Sequence, residues 1–157
     1  MILACTAFDH ALPQVHRTHG AGYNRLMPDR SGDWLTQAGR NLEQARDSAD
    51  AQRHEWACFA AQQGAEMAVK ALHLKLGQQA WGHVVRRLLE ELPSSVEIPA
   101  ELLDSARVLD AYYLATRYPN GHPVGAPGEH YGALQSAESI RYAGQILEFC
   151  RLQMARP

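Results

Sequence analysis

The sequence predicts an all-α domain, an up-and-down bundle of four to five helices, and three observations support this prediction. Apolar side chains recur with a helical period from residue 31 onward, and no stretch alternates with the period of a strand. Prolines and glycines divide this region into segments with short connections, which favours antiparallel neighbours. The chain has 157 residues, of which 46% are hydrophobic and 20% charged, so it is long enough to bury one core.

An irregular arm is predicted over residues 1–30, ahead of a bundle that spans residues 31–157. The arm has scattered Gly, Pro and His residues and no sustained period. Three of its side chains could be metal ligands: His10, His16 and His19. No cysteine or carboxylate cluster accompanies them, so we favour a mobile tail without a metal site. Met27 directly precedes "PDRSGDW" and is a hypothetical natural start, which the intact mass of protein made from the native transcript would test.

The first two helices are predicted from their apolar positions and their end signals. "SGDWLTQAGRNLEQARDSAD", residues 31–50, has Ser31 or Asp33 as its expected N-cap. Its apolar stripe consists of Trp34, Ala38, Leu42, Ala45 and Ala49. "HEWACFAAQQGAEMAVKALHLKLG", residues 54–77, is expected to be the most buried helix, with Gly77 as its stop. Its apolar positions are Trp56, Phe59, Ala60, Met67, Ala71 and Leu74.

Prolines set the limits of the later helices. "HVVRRLLEEL", residues 83–92, ends at Pro93. "PAELLDSARVLDAYYLATRYP" begins with Pro99 and stops before Pro119, because proline is tolerated in a first turn but cannot continue a helix. "EHYGALQSAESIRYAGQILEFCRLQMA", residues 129–155, follows a Gly/Pro-rich loop as the last helix. Six side chains on these stripes are predicted to be buried: Trp34, Phe59, Met67, Leu109, Ile140 and Leu147.

Charge and cysteine usage exclude several classes of protein. The formal net charge of -2 provides no field that attracts nucleic acid to the whole surface, so an RNA contact requires a local cluster of cations. Cys5, Cys58 and Cys150 are far apart and form no CxxC pair, which indicates reduced thiols of a cytoplasmic protein. The opening "MILACTAF" is too short to span a bilayer and lacks a basic leader, so no membrane segment or signal peptide is expected.

Common catalytic motifs are missing from the sequence. It has no glycine-rich phosphate loop, no HExxH and no nucleophile elbow. The sequence therefore gives no support for an ATPase, a metalloprotease or a hydrolase with such an elbow. We therefore expect neither a cofactor nor a metal.

Five pieces of the sequence occur in a characteristic order: "WLTQAGRNLEQAR", "CFAAQQGAEMAVKAL", "GHVVRRLLEEL", "LDAYYLATRYP", and a tyrosine before an Ala-rich final helix. Together they resemble the HEPN domain family (higher eukaryotes and prokaryotes nucleotide-binding). The resemblance covers about residues 31–152, and it is specific through the combination of pieces. It implies a toxin-like or nucleotidyltransferase-associated member. Gly64 stands where the family more often has alanine. Since a mid-helix glycine costs ~1 kcal/mol relative to alanine, we expect a close helix contact there.

The stretch "RYPNGHP", residues 117–123, carries the strongest candidate site. Many family members that are ribonuclease toxins have an arginine, four to six residues and a histidine, and here Arg117 and His122 have four residues between them. Pro119 biases Tyr118 away from the helical region, so that His122 can fold back towards the guanidinium. Arginine presents a planar fork to phosphate, and histidine exchanges protons near neutral pH. The resemblance thus implies a metal-independent endoribonuclease toxin of a toxin-antitoxin pair, with Arg117 and His122 as catalytic residues.

A second function stays open beside the first. Part of the family has the "RYP" corner without a matching histidine, and there Arg117 ends a helix while His122 decorates a loop. The chain would then be a non-catalytic nucleotide-binding or scaffold subunit that partners a minimal nucleotidyltransferase. Such a partner would be the antitoxin under the first function. Active relatives often have a tyrosine that the partner modifies with AMP two residues after the histidine. Here that position is Val124, so control by that route is not expected.

A weaker candidate site could bind the phosphate of RNA or of a nucleotide. The resemblance implies that its cations lie beside Arg117, and they are Lys70, His83, Arg86 and Arg87. Glu66 and Lys70 form an i,i+4 pair worth roughly 0.2–0.5 kcal/mol, and with Gln63 they are expected to form a solvated stripe.

Assembly is the last expectation, and it too rests on the resemblance. The family resemblance implies a homodimer with the Arg117 corner near the two-fold axis. Tyr112, Tyr113 and Tyr118 are expected to pack in the core or in the dimer contact rather than to stack on bases.

Overall fold

The computed structural model describes residues 28–157. Residues 1–27 of the expected arm, with the three histidines and the hypothetical start at Met27, lie outside the described residues. Six α-helices and two 3-10 turns, with no strand, make up the described range, which confirms the all-α prediction. The helices are α1 (Ser31–Asp50), α2 (His54–Lys75), α3 (Val85–Glu90), α4 (Ala100–Asp110), α5 (Tyr112–Ala115) and α6 (Ala133–Met154).

Helix α2 lies at the centre of the bundle, with α1 and α6 packed against it. α4 contacts α6 and α3, and α3 returns to contact α2. The fourth predicted helix is divided into α4 and α5 at Ala111, whose N–H bonds the Val108 carbonyl oxygen in a tighter turn. Counting α4 and α5 as one interrupted helix leaves five segments, as predicted from the prolines and glycines.

The helix ends match the sequence signals in part. Gly77 has a φ of +74° directly after α2, as expected of a C-terminal glycine. The N-cap expected of Ser31 or Asp33 is wrong, because α1 already begins at Ser31. Asp29 accepts the Ser31 N–H instead, at 2.9 Å, while Asp33 pairs with Arg30.

The side chains that form the core are smaller than those of the apolar stripes predicted from the sequence. Helix α2 is the most buried helix, as expected, but its buried face consists mainly of Ala57, Ala61, Ala65, Ala68, Val69 and Leu72. Alanines let α1 and α6 approach α2 closely, so the bulky Trp56 is displaced to the rim, where it is 48% exposed.

Of the six positions predicted to lie in the core, one is fully buried, four are partly buried and one is exposed. Leu109 is fully buried, which confirms its prediction. Four others are only partly buried: Phe59, Met67, Ile140 and Leu147. The prediction for Trp34 is wrong, because the buried face of α1 runs through Ala38, Leu42 and Ala45 and leaves Trp34 37% exposed.

A close approach of α1 to α2 explains Gly64. A Cβ atom at this position would lie 3.1 Å from the Ala38 carbonyl oxygen, which is tighter than ordinary contact. This confirms the helix contact expected from the mid-helix glycine. Elsewhere in the described part, Cys58 and Cys150 are buried free thiols. None of the helices within residues 28–157 combines the length and apolar character that crossing a membrane requires.

Candidate functional site

The backbone of α5 anchors the side chain of Arg117, which follows this helix in the chain. Its Nε and Nη2 atoms both donate to the Tyr113 carbonyl oxygen, at 3.0 and 2.6 Å. The guanidinium carbon also lies 4.3 Å from the centroid of the Phe59 ring and 4.9 Å from that of Tyr113. Stacking on aromatic faces stabilises the charge, while the Nη1 group takes no part in the two bonds to Tyr113. Arg117 is therefore a preorganised cation that can still donate to a phosphate.

The chain leaves the helical region at Tyr118, as expected from Pro119, and the loop then folds back onto α5. Tyr118 is extended, with φ -117° and ψ 122°, and residues 119–121 form a 3-10 turn. Gly121 permits the close approach, because a Cβ atom there would lie 3.1 Å from the Ala115 Cα. His122 Nε2 then bonds the Ala115 carbonyl oxygen at 2.7 Å. Since a carbonyl only accepts, Nε2 carries a proton and Nδ1 is left for proton exchange.

The two motif residues belong to different groups of stacked rings. His122 stacks on His130 with 4.0 Å between ring centroids, and the His122 ring also adjoins Tyr131, which packs against Tyr112. Arg117 instead contacts Phe59 and Tyr113. The imidazole therefore bonds the backbone of α5 and not the guanidinium towards which it was expected to fold.

Glu66 is the centre of a buried polar cluster on α2. It is only 4% exposed and accepts four side-chain donors. The donors are Lys70 Nζ at 2.9 Å, Gln63 Nε2 at 3.1 Å, His83 Nδ1 at 3.2 Å and Gln62 Nε2 at 3.3 Å. The expected solvated stripe is wrong for Glu66, because the segment between α2 and α3 packs over it. The carboxylate is buried with a full set of partners, the condition under which a buried charge is tolerated.

Several contacts hold His83 at the surface beside this cluster. Its ring stacks on Tyr113, with 4.5 Å between centroids and 14° between planes. Gln62 Nε2 donates to the His83 carbonyl oxygen at 3.0 Å. The following helix is capped by Asp110, whose carboxylate accepts the Val85 N–H at 2.6 Å. Burial raises the pKa of the Asp110 carboxyl above its ordinary value, and the backbone bonds oppose this shift. Three contacts thus hold His83: the bond from its ring nitrogen to Glu66, the stacking of its ring face on Tyr113, and the bond from Gln62 to its backbone.

The weaker candidate cations divide into two pairs. Lys70 joins His83 at Glu66, and its side chain is only 14% exposed. Arg86 pairs with Glu90 at 2.9 Å and Arg87 with Glu91 at 2.8 Å, both along α3. The structure therefore brings Lys70 and His83 together and ties the two arginines to neighbouring carboxylates one turn further along the chain.

Sequence reasoning missed Glu66 as an organising residue and Tyr113 as the link between His83 and Arg117. The cluster of Gln62, Gln63 and Glu66 in an otherwise Ala-rich helix was the available signal.

A groove of about 500 Å³ runs between α1 and α2 and reaches the Phe59 ring. Its walls carry the half-exposed Trp56, the cation Arg53 and the amides of Asn41 and Gln44. Aromatic faces with convergent polar groups are typical of sites for planar ligands, including unpaired bases. Arg117 also stacks on Phe59, so this ring belongs both to the groove lining and to the guanidinium contact.

Three other reactive side chains in the described part are unsuited to catalysis at neutral pH. Burial raises the pKa of the Cys58 thiol to about 11 and that of Cys150 to about 12. Burial also raises the pKa of Tyr112 to about 12. Within residues 28–157 there is no group of three or more His, Cys, Asp or Glu residues placed to hold a metal ion.

Comparisons with known proteins agree with the fold. The model of the HEPN domain matches residues 31–153. The crystal structure of TT1696 from Thermus thermophilus is 47% identical, with a TM-score of 0.79, and the match covers 80% of this chain and 98% of that chain. ST0689, an archaeal HEPN homologue, is 38% identical with a TM-score of 0.69, and the match covers 80% and 98%. An HEPN domain protein (tm0613) from Thermotoga maritima is 37% identical with a TM-score of 0.66, and here the match covers 80% and 99%. No curated protein matches the sequence significantly.

Proposed function

The chain belongs to the HEPN domain family, and we propose that it is a metal-independent endoribonuclease, the toxin of a toxin-antitoxin pair. The observation that carries the proposal is the anchored guanidinium of Arg117, which the Tyr113 carbonyl and the Phe59 ring hold in one position. A fixed planar cation with unused donors suits the charge that develops on a phosphate during cleavage. The groove that includes Phe59 supports the proposal, because its indole and amides can receive an unpaired base.

The reaction follows from a phosphate bound at Arg117. The ribose 2'-oxygen loses its proton and forms a bond to phosphorus, and the bond from phosphorus to the 5'-oxygen breaks. Arg117 stabilises the additional negative charge on the phosphate oxygens. His122 exchanges a proton with the reacting oxygens through Nδ1, since its Nε2–H is bound to Ala115. The products are a 2',3'-cyclic phosphate and a 5'-hydroxyl, and no step uses a metal.

The proposed active form is a homodimer paired at the Arg117 corner. Large apolar side chains are exposed there: Leu114, Tyr118 and Val124. An isologous contact would cover them and bring two copies of the site together. The proposed partner is a nucleotidyltransferase-like antitoxin, and the proposed location is the cytoplasm, where the thiols of Cys58 and Cys150 stay reduced.

The test is cleavage of single-stranded RNA by purified protein in excess EDTA. Wild-type protein is expected to cleave, and His122→Ala to be slower by about 10²–10⁴-fold, the range for losing a general acid or base. Arg117→Lys is expected to be inactive, because an ammonium cannot reproduce the planar fork. His54→Ala is the matched control, since His54 bonds Ser136 Oγ on α6, outside the corner. RNA left intact by wild-type protein over a broad pH range would refute the proposal.

The second candidate is a non-catalytic nucleotide-binding or scaffold subunit of a nucleotidyltransferase. The bond from His122 to the Ala115 carbonyl favours it, because a histidine that only closes a loop would have the same contact. Expression in cells separates the two functions. Growth arrest by wild-type protein that Arg117→Ala and His122→Ala abolish supports the toxin. Normal growth together with nucleotide binding by the purified protein supports the scaffold.

A further inference from the structure

The structure joins Arg117 to a second histidine, His83, through Tyr113. The Tyr113 carbonyl oxygen accepts both bonds from Arg117, and the Tyr113 ring stacks on the His83 imidazole at 4.5 Å. His122 belongs to the other group of rings, with His130 and Tyr131. Within one chain, His83 therefore shares a residue with the phosphate-binding guanidinium, and His122 does not.

The bond to Glu66 fixes the tautomer of the His83 ring. An ionised carboxylate only accepts, so the Nδ1 atom, 3.2 Å from Oε1 and 3.3 Å from Oε2, carries the proton. Nε2 is then the accepting nitrogen, and it makes no hydrogen bond within residues 28–157. The side chain is 52% exposed, so a ligand can reach this atom. A carboxylate that orients an imidazole in this tautomer is the arrangement that general bases use.

The contacts around His83 exceed what a loop residue needs. Burying a carboxylate carries a large desolvation cost, and an apolar side chain would hold the segment without that cost. Glu66 is nevertheless buried, with Lys70 as its counter-ion, and its carboxylate is directed at the imidazole. Gln62 fixes the His83 backbone, and Asp110 caps the helix that follows. Such extensive support for the position of one exposed ring is typical of a functional site.

We propose that His83, oriented by Glu66, is the general base for the RNA phosphate that Arg117 holds. This inference rests on the proposed function and adds a catalytic residue to it. Nε2 of His83 takes the proton of the ribose 2'-hydroxyl, and the 2'-oxygen forms its bond to phosphorus. The bond from phosphorus to the 5'-oxygen then breaks, and the leaving oxygen takes its proton from protonated His122. Glu66 is a positioning residue, since it acts through the imidazole and not on the RNA.

The experiment compares His83→Asn with His54→Asn in the full-length protein. Asparagine keeps a donor for Glu66 but cannot take a proton, so the fold and its melting temperature are expected to persist. We expect kcat for RNA cleavage in EDTA to fall by about 10²-fold or more with His83→Asn. Affinity for a 2'-O-methyl RNA of the same sequence, which cannot react, is expected to change by less than about threefold, because a general base acts on the rate. His54→Asn is expected to cleave like wild type, and Glu66→Gln to lower kcat without weakening binding.

Failure of this inference and failure of the proposed function give different results. If His83→Asn cleaves within about threefold of wild type while His122→Ala is inactive, the inference is overturned and the nuclease stands. If wild type does not cleave, the proposed function fails, and NMR then decides whether His83 faces the phosphate. A 2'-O-methyl RNA that shifts the His83 ring resonances in wild type but not in Arg117→Ala supports that placement. Binding that leaves those resonances unmoved overturns it.

Discussion

Replacing Glu66 alone is expected to destabilise the protein far more than replacing Glu66 and Lys70 together. The Glu66 side chain is 5% exposed and that of Lys70 14%, so Glu66→Leu leaves an ammonium largely desolvated without its partner. It also removes the acceptor of Gln62 and Gln63, whose amides bond Glu66 at 3.3 and 3.1 Å. Breaking a buried ion pair from one side costs about 3–5 kcal/mol, whereas replacing both partners by apolar residues is often neutral or stabilising by about 1–4 kcal/mol.

A double-mutant cycle measures this coupling. Glu66→Leu, Lys70→Met and the double variant are unfolded in urea at one protein concentration, because the stability of the proposed dimer would depend on concentration. We expect a coupling energy of about 2 kcal/mol or more, against about 0.3–0.5 kcal/mol for an exposed i,i+4 pair. A coupling below about 0.5 kcal/mol would show that the pair is a solvated stripe and would refute the buried cluster.

Three further predictions concern the thiols, the loop and the dimer. Because burial raises the pKa of Cys58 to about 11 and of Cys150 to about 12, iodoacetamide at pH 8 is expected to label neither thiol until urea unfolds the chain. Equal labelling of their peptides in both states would contradict this. Gly121→Val is expected to push the loop away from α5, since a Cβ there lies 3.1 Å from Ala115, and to lower RNA cleavage at least about tenfold while stability changes by less than about 1 kcal/mol. Unchanged cleavage would mean that the loop position is irrelevant to the reaction. Leu114→Asp is expected to give a monomer by light scattering, and a wild-type monomer at micromolar concentration would disprove the proposed dimer.

Positions and limits of the helices were predictable because their signals are local. Proline removes a donor and fixes φ, so α4 begins directly after Pro99, and neither α3 nor α5 continues to Pro93 or Pro119. Gly77 ends α2 for a similarly local reason, a positive φ that other residues rarely adopt. The buried face of a helix was less predictable. Trp34 and Trp56 lie on apolar stripes, yet both are exposed, because the alanines of α2 set the distance between neighbouring helices.

Spacing in the chain specified the all-α class, the Arg-x4-His pattern and the backward fold of its loop, because each depends on residues a few positions apart. Only the tertiary structure decided that Glu66 is buried, since its cover comes from His83, 17 residues away, where the chain returns over α2. It also decided that Arg117 adjoins His83 through Tyr113 while His122 stacks on His130. Sequence patterns indicate which side chains prefer water. Which polar groups are buried together depends on how distant segments pack, because a buried charge is tolerated only where that packing supplies its partners.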